Sequence, residues 1–404
     1  DIILLEKRDK MKVLSVNAGS SSLKFKMFEM PEKKVLVSGL FERIGISGSC
    51  YTIKINGEKI KKEAPLKDHK DAVKILTEEL IAYKVIDSLD EIKAVGHRMV
   101  HGGSVYASSV IIDEDVKAKV KELIPLAPLH NPANLIGIEA FESMVPNAVN
   151  VGVFDTAFHQ TMDEAAYLYP VPYEWYEKYG VRKYGFHGTS HQYVANRMNE
   201  ILGRTDTKLI TCHIGNGGSI SAVLNGKCID TSMGFTPNAG IMMGSRSGDI
   251  DASIIGYIME QAKMDVKAVD NALNKESGLL GISGISSDSR DIEQGIEEGN
   301  ARCKLAQEMY IRRIVAYIAQ YYVLLGGADA IVMTAGVGEN AIAVRKAIID
   351  RLAVLGIKID EERNNIRGEE TLISSDDSTV KVYVIPTDEE LMIACDTYNL
   401  TLTK

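Results

Sequence analysis

The pattern of apolar and polar positions predicts strands and helices mixed along the whole chain. The apolar segment KVLSV is followed by a turn of Asn, Gly and Ser, and residues 23–28 then alternate as a strand does. Strands are predicted at 12–17, 22–28, 34–42, 51–55, 59–63, 92–100, 150–156, 208–215, 219–225, 227–232, 330–335 and 380–386. Helices are predicted at 68–83, 113–124, 132–144, 251–262, 300–325 and 341–355. This mixture predicts an α/β fold.

Two distant segments follow one plan. VLSVNAGSSSLKF (13–25) and LITCHIGNGGSISAV (209–223) each have an apolar strand, a polar residue, a turn of Gly with Asn or Ser, and an alternating strand. Asn17 and His213 occupy equivalent places, as do Gly19 and Gly215. The echo suggests two related lobes whose hairpin loops face each other across a cleft, but on this observation alone two unrelated hairpins are the simpler explanation. Neither segment is a P-loop, because GxxxxGK[ST] is absent from the chain.

Composition narrows the class of protein. The 404 residues, 45% hydrophobic and 25% charged, are enough for two globular domains. A net charge of −9 argues against nucleic acid or an acidic membrane as partner. The five cysteines are odd in number and never form CxxC, which indicates a reducing, cytoplasmic location. No apolar run reaches the ~18 residues of a membrane span. Residues 1–10 precede Met11 and carry six charges, so we expect a cloning or upstream scar there.

A third Gly-rich element lies at AIVMTAGVGENA (330–341). Its strand leads Gly336 and Gly338 into a helix, an arrangement that lets backbone approach a nucleotide closely. The same letters satisfy the GxGxxA dinucleotide fingerprint, which makes an oxidoreductase an alternative. Against that alternative, the element lies near the C-terminus, no second βα unit follows it, and no acidic residue ends a following strand about twenty positions later.

Seven of the eight histidines fall between residues 97 and 213. The pairs His97/His101 and His187/His191 have HxxxH spacing, which raises the possibility of zinc. In a strand, however, residues i and i+4 lie ~13 Å apart. In FHGTSHQ, Thr189 and Gln192 form a capping-box pattern that leaves His187 outside a helix. We therefore expect these histidines to donate hydrogen bonds to an anion or to loop backbone, or to be structural.

Charged side chains beside small residues complete the candidate chemistry. Arg98 in GHRMVHGG and Arg246 in MGSRSGDID have small neighbours, which leave room for a guanidinium to bind phosphate or carboxylate through two hydrogen bonds. Asp155 ends a predicted strand and Glu389 lies in IPTDEELMIA. Carboxylates at strand ends beside phosphate loops are typical holders of Mg²⁺.

Taken together, these motifs resemble the acetokinase family of the actin/sugar kinase/Hsp70 superfamily. The matching segments run in order from Asn17 to Ala394: NAGSSSLK, GHRMVHGG, PLAPLHNPAN, VFDTAFHQT, YGFHGTSH, HIGNGGS, DTSMGFTP, MGSRSGDID, SSDSRDI, TAGVGEN and IPTDEELMIA. The resemblance implies a duplicated, two-lobed actin-like (ribonuclease H-like) ATPase fold with a central cleft. The implied lobes are 11–156 with 387–404, and a nucleotide-binding lobe at 157–386. The implied reaction is reversible, in-line phosphoryl transfer from ATP to acetate, giving acetyl phosphate and ADP.

The resemblance also implies roles for individual residues. Arg98 and Arg246 would hold the carboxylate and the transferring phosphoryl group, which His187 and Asn216 would also contact. Asn17, Asp155 and Glu389 would hold Mg²⁺, with Mn²⁺ as a substitute. The acetate methyl would lie among Val100, Leu129, Phe186 and Pro237. ATP or ADP would contact Asn17, Ser20, Ser22, Lys24, His213, Asn216, Gly217, Asp288, Arg290, Gly336, Val337, Gly338 and Asn340. A homodimer is also implied.

The chain departs from the family pattern at a few positions. Ser245, Ala252, Asp388 and Cys395 stand where the family usually has Thr, Pro, Asn and Arg, and Asn238 and Ala239 lie near the substrate loop. Asp388 adds a negative charge beside the expected Mg²⁺ position. Two alternatives stay open: a propionate or butyrate kinase, against which Val100 argues, and an actin-like nucleotide switch, against which the paired arginines argue.

Overall fold

The structure, a computed structural model, describes residues 9–404. Most of the expected scar at 1–10 therefore lies outside the described residues. The chain groups into two compact units. One comprises the chain up to Ala157 together with Asp388–Lys404, and the other comprises Phe158–Thr387. The predicted cleft between two lobes stays a prediction.

Each unit is built around one mixed sheet. The strands of the first unit are β1 (Met11–Ala18), β2 (Ser22–Met30), β3 (Lys34–Glu42), β4 (Cys50–Ile55), β5 (Glu58–Glu63), β6 (Ile92–Met99), β7 (Val110–Ile111) and β8 (Val149–Phe154). Those of the second are β9 (Lys208–Ile214), β10 (Gly218–Leu224), β11 (Lys227–Thr231), β12 (Ala330–Thr334), β13 (Thr371–Leu372) and β14 (Lys381–Val384).

Helices pack around these sheets. In chain order they are α1 (His69–Ala82), α2 (Glu114–Glu122), α3 (Asn131–Met144), α4 (Glu164–Tyr167), α5 (Tyr173–Tyr179), α6 (Gly188–Leu202), α7 (Ser253–Ala262), α8 (Val266–Lys275), α9 (Gly278–Ser283), α10 (Ser289–Glu297), α11 (Ala301–Leu325), α12 (Ala335–Asn340), α13 (Ile342–Asp350), α14 (Glu361–Asn364) and α15 (Glu389–Leu402). The predicted α/β class is confirmed.

The two sheets share one topology. Their strand orders are β5-β4-β3-β2-β1-β6-β8-β7 and β11-β10-β9-β12-β14-β13. In each, three antiparallel meander strands continue into two parallel strands, and the sheet ends on a short antiparallel edge strand. The first sheet extends its meander by two further antiparallel strands, β4 and β5. Asn17 and His213 are both the penultimate residues of equivalent strands, β1 and β9. The echo in the sequence therefore reflects a duplicated topology rather than two unrelated hairpins.

Local sequence explains why the elements begin where they do. Asp68 caps α1 by accepting a hydrogen bond from the Asp71 amide. The hairpin β4–β5 turns at Asn56-Gly57, both with positive φ. The long helix α11 buries one stripe that includes Ile314, Ile318 and Tyr321. None of the helices in residues 9–404 combines the length and apolar character needed to cross a membrane.

The structure corrects several predicted boundaries. The helix predicted at 341–355 ends at Asp350 and is followed by a separate 3₁₀ turn, Ala353–Leu355. The helix predicted to be capped by Thr189 begins earlier, because His187 is its N-cap residue and Thr189 lies inside its first turn. The C-terminal helix α15 was not predicted. It packs against the sheet strands β1, β2, β6 and β8, so the burial of its side chains depends on residues distant in the chain.

Candidate active site

The carboxyl ends of three strands meet at one edge of the first unit's sheet. The strands β1, β6 and β8 are parallel neighbours, with Val16 beside His97 and Arg98 beside Val153. Asn17 and Arg98 are therefore near the ends of adjacent strands, and Asp155 follows β8 directly. Ligands of open α/β sheets bind at this kind of edge.

Arg98 and Asp155 form a two-pronged ion pair at this edge. Arg98 Nε and Nη2 donate to the two carboxylate oxygens of Asp155 at 3.1 and 2.7 Å. The Asp155 side chain is 5% exposed and that of Arg98 is 28% exposed. Bidentate geometry fixes the planes of both groups and makes the hydrogen bonds strong. Both predicted residues are thus held together before any ligand enters.

The first turn of α15 brings two more carboxylates to Arg98. Burial raises the pKa of Glu389 to about 7, and Asp155 and Glu390 add to that rise while Arg98 opposes it. Burial also acts to raise the pKa of Glu390, but bonding to Lys24 reverses the shift, so that this pKa is lowered. Lys24, predicted to contact nucleotide, forms an ion pair with Glu390. Glu389 is therefore a partly buried acid whose negative charge is poorly compensated.

This arrangement fits a divalent cation. Burial and the nearby Asp155 both disfavour ionisation of Glu389, and Arg98 offsets only part of their combined effect. A hard cation with oxygen ligands would remove the remaining penalty. The departure at Asp388 has a structural role: it caps α15 by accepting from the Leu391 amide at 3.0 Å, and it lies 3.5 Å from Lys26.

The β1–β2 turn, which contains Ser20, is anchored by backbone contacts. The Gly19 amide donates to the Ser22 carbonyl at 2.9 Å. His69 Nε2 bonds to the Gly19 carbonyl at 2.8 Å, and Asn134 Nδ2 donates to the Ala18 carbonyl at 3.1 Å. These contacts hold the backbone of the hydroxyl-rich turn in place, as an anion-binding loop at this position would require.

In the second unit, His187 and Arg246 converge on a glycine. A Cβ added to Gly217 would lie 3.2 Å from Arg246 Nη1 and 3.7 Å from His187 Nε2. His187 has φ +59, a strained conformation for a residue other than glycine, and its ring stacks on His213 at 4.1 Å. The Gly215–Gly217 turn that follows β9 thus brings two predicted phosphoryl-binding side chains together.

The charge of Arg246 has no acidic partner in the described residues. Its guanidinium donates to the Pro237 carbonyl at 3.3 Å, and no carboxylate in 9–404 lies within ion-pair distance of it. Burial lowers the pKa of Arg246 below its ordinary value. A half-buried guanidinium without a counter-charge favours an incoming anion, because the anion replaces the lost hydration. Arg246 differs in this respect from Arg98.

A cavity of about 480 Å³ lies within the second unit. It is lined by six residues predicted to bind nucleotide: Asn216, Asp288, Arg290, Gly336, Val337 and Asn340. The Asp288 and Arg290 side chains pair with each other at 2.6 Å at the start of α10. The volume is typical of a small-molecule site.

Other predicted nucleotide residues lie elsewhere in the second unit. The carbonyl of Gly338 accepts from the fully buried Arg345 at 3.2 Å, and a Cβ on Gly338 would press on the Met333 backbone. Gly338 therefore serves close packing rather than cavity lining. His213 Nδ1 bonds to Ser190 Oγ at 2.7 Å. Neither residue, nor Gly217, is among those lining the cavity.

The sequence did not single out several side chains that line this cavity. Glu293, Tyr310 and Arg367 all contribute to its wall. Glu293 and Tyr310 lie on amphipathic helices, where their spacing resembles that of ordinary surface or core positions. Arg367 precedes Gly368, whose φ is +65, and this small-residue neighbour was the one local signal available.

The predicted methyl pocket draws residues from both units. Val100 is 9% exposed and its amide donates to Asn134 Oδ1 at 3.1 Å, whereas Leu129 is 73% exposed; both belong to the first unit. Phe186 is 4% exposed and, with Pro237, belongs to the second. The four-residue pocket stays a prediction.

Several histidines are too buried to be ordinary surface bases. Burial lowers the pKa of His97 to about 4, and its Nε2 is 2.8 Å from Asn150 Oδ1. Because the unfolded state takes up the proton near pH 6.5, the stability due to neutral His97 is complete above that pH. It is lost progressively as the pH falls to about 4.

We expect the variant His97→Gln to unfold less readily on acidification than the parent protein. Glutamine can donate to Asn150 but does not titrate, so roughly 2 kcal/mol of the stability loss between pH 7 and pH 5 should disappear. Urea unfolding at the two pH values measures this difference. Equal losses in both proteins would contradict the assignment of His97 as a neutral buried base.

Comparison with known proteins places the chain in one family. Residues 12–395 match the model of the Acetokinase family. The chain is 54% identical over 391 residues to an acetate kinase of Bacillus subtilis, covering 96% of this chain and 99% of the relative. It is 53% identical to an acetate kinase of Finegoldia magna, covering 96% and 100%.

Solved structures agree with these sequence matches. The crystal structure of Porphyromonas gingivalis acetate kinase is similar with a TM-score of 0.93 and 48% identity, covering 96% of this chain and 99% of that one. A propionate kinase from Francisella tularensis gives 0.91 and 44%, covering 96% and 100%. The family model, the sequence relatives and the solved structures thus agree, and the chain belongs to the acetokinase family.

Proposed function

We propose that the chain transfers the γ-phosphoryl group of ATP to acetate, reversibly, giving acetyl phosphate and ADP. The observation that carries the proposal is the half-buried Arg246, whose charge no carboxylate of the described chain compensates and whose Nη1 reaches the same glycine as His187 Nε2. Such a pair of donors suits the equatorial oxygens of a phosphoryl group in transfer.

The mechanism requires positioning and charge neutralisation more than covalent help. Asn216, Asp288, Arg290, Gly336, Val337 and Asn340 would hold the nucleotide in the cavity of the second unit. Arg246 and His187 would donate to the transferring group, and Arg98 would orient the acetate carboxylate. Because charge spreads over the phosphoryl oxygens in the transition state, fixed donors there accelerate the reaction.

Asn17, Asp155 and Glu389 would hold Mg²⁺. The cation supplies neutralisation of the nucleotide phosphates, and Mn²⁺ could replace it. Within the protein, Arg98 keeps Asp155 oriented through two hydrogen bonds. Partial burial raises the pKa of Glu389 to about 7, so a bound cation would favour the ionised carboxylate that acts as its ligand.

Trapping of the acyl phosphate tests the proposal. The protein is incubated with ATP, Mg²⁺ and acetate, and hydroxylamine converts any acetyl phosphate to a hydroxamate. Propionate and butyrate are assayed in parallel, because one similar solved structure is that of a propionate kinase. More hydroxamate from acetate than from propionate or butyrate supports the proposal. Product with none of the acids, together with ATP binding, would instead indicate a nucleotide switch.

We expect Val100→Ala to raise the preference for propionate. Val100 would close the methyl end of the acetate site, and removing two methyl groups opens room for one more carbon. One methylene in an apolar pocket is worth ~1–3 kcal/mol, so the propionate-to-acetate ratio of kcat/KM should rise ~10-fold or more. Kinetics with both acids in both proteins measure the ratio. An unchanged ratio would mean that Val100 does not line the pocket.

A homodimer is the oligomeric state that we propose. The helix α7 has no buried side chain, yet Ile254, Ile255 and Tyr257 are 48%, 36% and 65% exposed. An apolar helix surface of this kind favours association with a second copy of the chain. Sedimentation of the intact protein at several concentrations would distinguish dimer from monomer.

A further inference from the structure

His187 is joined to a buried chain of hydrogen bonds inside the second unit. Its Nδ1 is 2.8 Å from Ser219 Oγ, which lies 2.7 Å from His191 Nε2. The other ring nitrogen of His191, Nδ1, is 2.7 Å from Thr211 Oγ1. Ser219, His191 and Thr211 are all fully buried, so bulk water does not compete for these bonds. The four side chains come from α6 and its N-cap, β9 and β10.

The proton positions along this chain follow from counting donors. Across residues 9–404, the structure gives Thr211 Oγ1 a single hydrogen-bond partner, His191 Nδ1. If His191 Nδ1 carried the proton, the hydroxyl proton of Thr211 would be buried without an acceptor, which costs free energy. The Thr211 hydroxyl therefore donates to His191 Nδ1, and neutral His191 carries its proton on Nε2.

The remaining bonds then have one direction. His191 Nε2–H donates to Ser219 Oγ, and the single hydroxyl proton of Ser219 donates to His187 Nδ1. A neutral imidazole whose Nδ1 accepts a hydrogen bond carries its own proton on Nε2. This is the nitrogen that lies 3.7 Å from the Cβ position of Gly217, beside Arg246.

We infer that Thr211, His191 and Ser219 are positioning residues that fix His187 as the Nε2–H tautomer and thereby make it a hydrogen-bond donor to the transferring phosphoryl group. The tautomer itself follows from the hydrogen bonds alone, whereas its use in phosphoryl transfer rests on the proposed function. With the opposite tautomer, a lone pair of Nε2 would face an anionic oxygen and repel it.

The charge state of His191 agrees with this direction. Burial, with His159 and His213 nearby, lowers the pKa of His191 well below its ordinary value, so the ring is neutral and has one proton to place. The aromatic rings around it pack closely: His191 is 5.6 Å from His159 and 6.2 Å from His213 between ring centroids.

Tautomers can be read directly by NMR. Long-range ¹H–¹⁵N correlation spectra of ¹⁵N-histidine-labelled protein distinguish protonated from unprotonated ring nitrogens, and the spectrum of His187→Gln identifies the His187 signals. We expect Nε2–H at His187 in the parent protein. Ser219→Ala and Thr211→Val should each convert His187 to a mixture of tautomers. A parent protein with Nδ1–H at His187 would overturn the inference.

A matched control lies two residues along the same strand. Ser221 is as fully buried as Ser219, but its hydroxyl bonds to Thr231 Oγ1 at 2.8 Å. Ser221→Ala should leave the His187 signals unchanged. If Ser219→Ala does not fold, Thr211→Val, which preserves side-chain shape, decides the question. An unchanged tautomer in the folded variant would overturn the inference.

Kinetics separate positioning from a purely structural role. Ser219→Ala should lower kcat roughly 10- to 100-fold while the KM for ATP changes little, since the nucleotide cavity does not include Ser219. Ser221→Ala should keep kcat near that of the parent. Equal kcat in the two variants would overturn the role in transfer. A confirmed tautomer in a protein that forms no acyl phosphate would reject the proposed function and leave the hydrogen-bond assignment intact.

Discussion

Arg246→Ala is expected to lower kcat ~10³-fold, within the range by which a transition-state arginine accelerates phosphoryl transfer. The guanidinium is half-buried, has no carboxylate partner in the described chain, and reaches Gly217 beside His187. Its favourable interaction with the phosphoryl group grows as charge redistributes in the transition state, so kcat should fall more than ATP affinity. Steady-state kinetics and calorimetric titration with ADP measure the two effects.

Two further variants sharpen this test. Arg246→Lys keeps the charge but loses the planar fork, so its kcat should lie between those of the parent and the alanine variant. Arg197→Ala removes an arginine whose partners, Glu200 and Glu370, lie on the exposed surface of the second unit, and should leave kcat unchanged. Near-normal kcat for Arg246→Ala would remove Arg246 from the proposed mechanism.

Arg98→Met is expected to lower both kcat and stability, whereas adding Asp155→Asn should restore stability alone. Removing Arg98 leaves the buried Asp155 beside Glu389 without its bidentate partner, and breaking a buried pair in this way costs roughly 3 kcal/mol. Asparagine at 155 removes the unpaired charge. It does not replace the guanidinium that would hold the acetate carboxylate, and it removes a proposed Mg²⁺ ligand, so kcat should stay low.

Urea unfolding and steady-state kinetics on the single and double variants measure these effects. The exposed pair of Arg197 and Glu370 is also bidentate and provides the control, since Arg197→Met should cost less than about 1 kcal/mol. If kcat recovers together with stability in the double variant, the loss of activity came from unfolding, and Arg98 has no direct part in transfer.

Most elements of the sheets were predictable because strand patterns are local. Alternation and apolar runs identified β1–β6, β8–β12 and β14 to within a few residues, and the echoed Gly-rich turns identified the two equivalent hairpins. The two-residue strands β7 and β13 were not predicted, because an alternating pattern cannot be recognised over so short a segment. Helix α15 was missed because its buried face is determined by four strands far away in sequence.

Individual side chains show the same division within the candidate site. Arg98, Arg246, Asp155 and Glu389 could be selected as candidate site residues from their small neighbours and strand-end positions. The electrostatic environment of each side chain could not be predicted in this way. Arg98 is paired with Asp155, whereas Arg246 has no acidic partner within residues 9–404. Burial raises the pKa of Glu389. Pairing and burial depend on which distant segments pack against each other.

By itself, then, the sequence determined the α/β class, two Gly-rich hairpins and the residue types that could bind an anion, because periodicity and turn chemistry act over a few residues. Only the tertiary structure decided which of those charged residues have an oppositely charged partner. It also decided the direction of the hydrogen bonds that join Thr211, His191, Ser219 and His187. The physical reason is that hydrogen-bond partners are chosen by the register of β9 against β10 and by the packing of α6 on the sheet. These contacts join segments that no local pattern connects.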